Sequence, residues 1–348
     1  MIDAKYQDLD SASVGAIFTR PVLITHLEDA LAKNGTTYVK MDFLDGVCVR
    51  NAKMFENSVA TFAQKSIEVG SIVDVTLRVD SYAGNKSFKV ENICLTQDKN
   101  VVQRDFLVYP PYDLDSMYHE ICTLVRKASA DYQKKSGDTA YSPLCNLVLK
   151  ILSDNYEKFK TWSAAEGMHH NHIGGLLYHT YMMVRCADAI ADIYTDLDRE
   201  VLVCGTALHD IGKIYGYDTT AFGIATVAPD EVLKSHLYIG AELVSKYAEM
   251  TYYGKICNPE KINVLQHLIL SHHGRREWGA VVLPAVPEAY VLSSIDNMDA
   301  RLFMFRDAFK TLTPGQNSEN KNYGLDTRPY RPTYAVDHGD VSDDFSVG

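Results

Sequence analysis

The hydrophobic period of this chain changes once, from two to about 3.6 near Tyr112, and that switch divides what it can fold into. Before it, TTYVKMDFLDGVCVRNAKMF (36–55), SIVDVTLRVDSY (71–82) and KSFKVENICL (86–95) alternate like strands. Leu44-Asp45-Gly46-Val47, Val69-Gly70 and Ala83-Gly84-Asn85 read as turns, and NSVATFAQKSIEV (57–69) is spaced like a short helix. Short strands interrupted by one helix predict a small closed β-barrel. After the switch, MYHEICTLVRKASADY, PLCNLVLKILSDNYEKF and LLYHTYMMVRCADAIADIY carry helical spacing, which persists to about Phe309. The expected organisation is therefore an all-β unit over 1–105 and an all-α unit over 106–313, with Pro110-Pro111 in the hinge. Residues 314–348 follow as an acidic, loosely held tail carrying Asp337, Asp340, Asp343 and Asp344.

Length agrees with this division, since 348 residues accommodate about two domains of ~150 residues each. No run of ~18 apolar residues occurs, so no membrane span is expected. The N-terminal MIDAKYQDLDSASVG lacks the basic-then-apolar order of a secretory signal, which predicts a cytoplasmic chain. Cys48, Cys94, Cys122, Cys145, Cys186, Cys204 and Cys257 are odd in number and never form a C-x-x-C pair. They exclude a disulfide framework or a cysteine zinc site and read as buried thiols. A net charge of -11 excludes a surface devoted wholly to nucleic acid but leaves room for a local basic groove.

Nine of the twelve histidines fall between His169 and His273. A single histidine on a helix is ordinarily a satisfied or exposed side chain, and His26, His119 and His338 are read that way. His179 and His209, however, sit among apolar neighbours, where an unpartnered polar group costs ~1–3 kcal/mol. Several such groups in one bundle imply a shared ligand or a hydrogen-bonded network, and a metal centre would supply that partner. His179, the pair His209-Asp210, His236, the pair His272-His273 and Asp296 combine imidazole with carboxylate, a donor set suited to divalent Mn, Fe, Co, Ni or Zn. Asp210 is the natural bridge between two ions, because a carboxylate has two oxygens and a neutral imidazole offers one donor.

The order His179, His209-Asp210, Asp296 resembles the H…HD…D signature of the HD superfamily of metal-dependent phosphohydrolases. His209-Asp210-Ile211-Gly212-Lys213, Gly174-Gly175-Leu176-Leu177-Tyr178-His179-Thr180 and Ile295-Asp296-Asn297-Met298-Asp299 carry the likeness over about 165–305. With His169-His170, Ser235-His236-Leu237-Tyr238-Ile239-Gly240 and His267-Leu-Ile-Leu-Ser-His272-His273-Gly274 included, the chain is similar to the YhaM-type 3′→5′ exoribonucleases, which carry an OB-fold before an HD domain. This likeness covers about 14–308. Trp162-Ser163-Ala164-Ala165 stands where that family usually has a proline before two alanines, and Gly216 to Lys234 follows its pattern poorly.

The resemblance implies that His179, His209, Asp210 and Asp296 hold one ion and that Asp210, His236 and His272 hold a second, with Mn the expected metal and Fe, Co, Ni or Mg as substitutes. Two such ions activate water and clamp phosphate oxygens, so no nucleophilic Ser or Cys is required. Lys213 is expected to neutralise transition-state charge. His169 and His170 are candidates for holding the substrate phosphate or 3′ end. His267 and Asp299 are expected to orient ligands or their neighbours, and His273 is left between ligand and neighbour. On the OB-fold, Tyr38, Lys40, Phe43, Arg50, Lys53 and Phe55 are candidates for weak, sequence-tolerant contacts to single strands, with Phe43 on the opposite face from Tyr38 and Lys40.

The function implied is removal of nucleoside 5′-monophosphates from the 3′ end of single-stranded RNA, with DNA also a possible substrate, by a chain that is free to form homo-oligomers. Two rivals remain at this point: a phosphohydrolase of small nucleotides such as a cyclic dinucleotide or nucleoside monophosphate, and a strand-binding OB module with a vestigial HD centre.

Overall fold

A computed structural model describes residues 9, 12–46, 48–82, 85–137, 139–164, 172–250, 257–310 and 312–334. The chain divides into two compact units, residues 1–108 and 109–348.

In the first unit β1 (Ile17–Leu31), β2 (Thr37–Leu44), β3 (Val49–Phe55), β4 (Ile72–Tyr82) and β5 (Asn85–Leu95) close a barrel in the order β1-β2-β3-β5-β4. All neighbours are antiparallel except β3 and β5, which run parallel and meet through Ala52↔Phe88 and Lys53↔Lys89. A five-stranded Greek-key barrel of this kind is an OB-fold. Alternation in β2 to β5 sends Val39, Met41, Phe43, Ala52, Val73, Val75, Leu77 and Val90 into one core, which α1 (Val59–Gln64) caps with Phe62. Ser58 accepts the Thr61 N–H at the start of that helix. Sequence periodicity missed β1. Arg20 to Ile24 are buried in succession, and the register slips between Ile24 and His26, so a strand serving two neighbours shows no clean period of two.

The second unit is a helical bundle comprising α2 (Leu114–Ser136), α3 (Leu144–Asp154), α4 (Tyr156–Thr161), α5 (Gly175–Ile193), α6 (Arg199–Leu208), α7 (Lys213–Gly216), α8 (Pro229–Ala248), α9 (Pro259–Ser271) and α10 (Pro287–Lys310). Its axis is α6, buried from Glu200 through Leu208 and packed by α2, α3, α5, α9 and α10. A helix apolar all round belongs inside a bundle. Its one buried acid, Glu200, is met by Lys261 Nζ at 2.6 Å, Ser129 Oγ at 2.6 Å and the Leu144 N–H at 2.9 Å. One feature departs from the all-helical expectation: β6 (Tyr217–Thr219) and β7 (Ala225–Val227) form a two-stranded sheet between α7 and α8.

The tail also differs from expectation. Residues 312–334 fold back on α10, with Leu325 buried and Arg331 Nη1 donating to the Phe309 and Leu312 carbonyls at 3.0 and 2.8 Å. These part-buried bonds and the single buried Leu325, without any apolar periodicity, hold the segment. The four tail aspartates lie outside the described residues. All seven cysteines are free, yet only Cys122, Cys145, Cys204 and Cys257 are buried; Cys94 is exposed, because alternation in β5 turns it outward. Among the described residues no helix is long and apolar enough to cross a membrane.

Candidate functional site

The C-terminal end of α6 delivers the first donors. Helical geometry ends at His209, and a tight turn through Asp210 to Gly212 leads into α7, closed by Lys213 N–H to the Asp210 carbonyl at 2.9 Å. Gly212 is obligatory here, since a Cβ would stand 2.0 Å from the His236 carbonyl oxygen. The absence of a Cβ there lets the turn before α7 lie backbone to backbone on α8, bringing His236 beside Asp210. His179 comes from the second turn of α5, His272 caps α9, and Asp296 and Asp299 lie one turn apart on α10.

The two oxygens of Asp210 face different partners. Oδ2 lies 3.3 Å from His209 Nε2 and 3.7 Å from His179 Nε2, whereas Oδ1 lies 3.5 Å from both His236 Nε2 and His272 Nε2. Asp296 Oδ1 joins the first group at 3.3 Å from His179 Nε2. His179, His209, Asp210, His236 and His272 are each at most 5% exposed, while the Asp296 side chain is 21% exposed and marks the open side of the cluster.

Electrostatics here are those of a site arranged for positive charge. Burial works against protonating His179, but Asp296 and Asp299 outweigh it and lift the group to about 10. His179 Nε2 and His209 Nε2 lie 3.1 Å apart, so both nitrogens face the same point. For Asp210, burial is overcome by Lys213 and His209, which hold the carboxylate well below its ordinary range. Burial lowers His209 and His236, keeping both neutral and able to donate a lone pair, as metal binding requires. Asp210 Oδ1 and His236 Nε2 are buried and make no hydrogen bond, a cost that a bound cation would remove. The residues present therefore fit a pair of divalent ions.

Other candidates divide. Lys213 Nζ bonds Asp210 Oδ2 at 2.7 Å, and although burial opposes its charge, Asp210 keeps the ammonium above its ordinary value. Asp299 Oδ2 bonds His179 Nδ1 at 2.7 Å. His273 lies within ligating reach of His236 and His272, and burial pushes it down to about 3. His267 turns elsewhere: its Nε2 accepts the Ala285 N–H at 2.9 Å, which pins the loop before α10 instead of orienting a ligand. His169 and His170 lie outside the described residues. Sequence reasoning missed Glu231, whose Oε1 bonds His236 Nδ1 at 2.7 Å.

On the barrel, Phe43 and Arg50 are corrected. Phe43 is wholly buried core, and Arg50 Nε is committed to the buried Asp45 carboxylate at 2.9 Å. Tyr38, Lys40, Lys53 and Phe55 share the outer face, where Tyr38 pairs with Phe55 and Lys40 with Lys53 across β2 and β3. The row continues through Lys89 on β5 to Arg78 on β4, so four bases stand side by side around the barrel. Glu28 and Glu91 meet the outer two, Lys40 and Arg78, at 3.7 and 2.6 Å. The inner two lie over aromatic rings, Lys53 5.4 Å from Tyr38 and Lys89 5.7 Å from Phe55. They border a groove of about 820 Å³ that Ser87 and Phe88 also line.

The fold and donor set define an HD-domain protein, and residues 176–301 match the family model described as HD domain, a metal-dependent hydrolase fold. The chain belongs to the YhaM family of HD-domain proteins. It is 32% identical over 328 residues to 3′-5′ exoribonuclease YhaM of Bacillus subtilis (strain 168), covering 92% of this chain and 96% of that protein. The protein of the same name from Geobacillus sp. (strain WCH70) is 31% identical, over 90% of this chain and 91% of its own length. That of Listeria innocua serovar 6a is 30% identical, over 90% and 94%.

Proposed function

We propose that the chain is a 3′→5′ exoribonuclease that uses two divalent ions, Mn foremost, to hydrolyse single-stranded RNA. One observation carries the mechanism: a single buried carboxylate, Asp210, turns one oxygen to His179 and His209 and the other to His236 and His272. Family membership over nine-tenths of the chain supports the substrate and polarity. The ions would be held by His179, His209, Asp210 and Asp296 on one side and by Asp210, His236 and His272 on the other, and would supply Lewis acidity and an activated water for in-line attack. Lys213 adds positive charge beside Asp210, where charge gathers on the phosphoryl oxygens in the transition state. On the barrel, like charges directly opposite one another destabilise a sheet, so the Lys53 and Lys89 pair favours an anionic partner. Tyr38 and Phe55, with ring centroids 5.4 Å apart, offer stacking faces for bases beside it.

The test is incubation of the pure chain with Mn and a 5′-labelled RNA oligomer. A ladder shortening stepwise from the 3′ end is expected, with nucleoside 5′-monophosphates released, and Asp210→Ala should abolish it. Internal cuts, or inert RNA alongside rapid hydrolysis of a cyclic dinucleotide, would overturn the assignment in favour of the small-nucleotide rival.

A further inference from the structure

Four imidazoles turn Nε2 towards the Asp210 carboxylate, and each spends its Nδ1 on an outer partner. Around Oδ2, His209 Nδ1 bonds the Thr206 carbonyl at 2.8 Å and His179 Nδ1 bonds the Asp299 carboxylate at 2.7 Å. Around Oδ1, His272 Nδ1 bonds the Ile269 carbonyl at 2.7 Å and His236 Nδ1 bonds the Glu231 carboxylate at 2.7 Å. Each half of the centre therefore couples one carbonyl-oriented imidazole with one carboxylate-oriented imidazole. Resting on the two-ion reading above, we propose that Glu231 is the positioning residue of the second half, the counterpart of Asp299 in the first. It fixes the proton of His236 on Nδ1, leaves the Nε2 lone pair for the ion and makes that nitrogen more basic.

The backbone is distorted to make this one contact. On an uninterrupted helix, residues five apart point about 140° away from each other, so Glu231 and His236 would not meet. Between them stands Ser235 at φ 64, ψ 144, a conformation that belongs to glycine and costs ~1–3 kcal/mol elsewhere. This break swings the first turn of α8 so that its carboxylate faces the imidazole. Room for it comes from Gly216, where a Cβ would lie 2.3 Å from Glu231 Oε2, and the Ala228 N–H bond to the Gly216 carbonyl at 2.9 Å ties the turn down. Glu231 Oε2 is itself buried and accepts no hydrogen bond. A strained serine, a close approach at Gly216 and a part-buried acid with one buried, unsatisfied oxygen converge on His236 Nδ1, a concentration of cost that packing alone does not account for.

Calorimetric titration of Mn into the metal-free full-length chain tests this. Wild type should take up two ions. Glu231→Ala should weaken one of the two sites by 10–100-fold and leave the other unchanged. Glu231→Gln should fall between, because its amide oxygen accepts the Nδ1 proton without carrying charge, and Gly216→Ala should mimic Glu231→Ala by displacing the carboxylate. If Glu231→Ala does not fold, the Gln and Gly216→Ala variants decide the matter. Two unchanged sites in the variants would overturn the role of Glu231 alone. Fewer than two sites in wild type would overturn the two-ion reading, and this proposal with it.

Discussion

At the scale of single residues, the centre separates side chains that hold charge in place from those that supply it. Lys213 belongs to the second kind. Its ammonium sits 2.7 Å from Asp210 Oδ2, and its Nζ is reached from the first residue of α7, so truncation leaves the turn and the donors intact. Lys213→Ala should lower turnover on RNA by about 10²-fold, by analogy with loss of one preorganised donor, without changing metal content measured by elemental analysis. A variant that loses metal in proportion to activity would instead make Lys213 a structural counter-charge for Asp210. The donor types were legible in sequence because imidazoles and carboxylates crowd between His169 and Asp296. Glu231 was illegible for a definite reason: its link to His236 depends on the break at Ser235, and helical spacing places the two on different faces.

Elements separate packing from recognition in the same way. Phe43 and Lys53 were both read as candidate strand-binding residues, but alternation in β2 turns Phe43 into the core and that in β3 turns Lys53 outward. Phe43→Ala should cost the barrel about 3–5 kcal/mol, seen as a lowered unfolding midpoint in denaturant. The double substitution Lys53→Ala and Lys89→Ala should leave that midpoint unchanged or raise it, since it removes a like-charge pair. It should also weaken RNA binding and flatten its salt dependence, measured by fluorescence anisotropy. Unaltered binding would move the strand off this face. Periodicity disclosed β2 to β5 and the long helices because each buries one face. It missed β1, where Arg20 to Ile24 are all buried, and it missed the sheet of β6 and β7, whose three-residue strands are too short to carry a period.

At the scale of the whole molecule, the barrel core and the helical core are separate clusters with no shared residue. Every candidate metal donor lies in the second unit. Removing divalent ions with a chelator should therefore lower the thermal transition of the helical unit and leave that of the barrel in place. A ligand present at a hundred times its dissociation constant stabilises by about 2.7 kcal/mol, so the shift should be readily measured by differential scanning calorimetry. One transition moving as a block would mean that the units unfold together. The chain order of the donors has a further consequence. His179 is made first, but Asp296 and Asp299, which complete its surroundings, belong to α10, the last helix in chain order. Domains form from the N-terminus during synthesis, so a growing chain owns a finished barrel long before it owns a finished centre. On the function proposed above, the barrel's strand-binding face would thus exist before the cutting centre, which stays incomplete until α10 has been made.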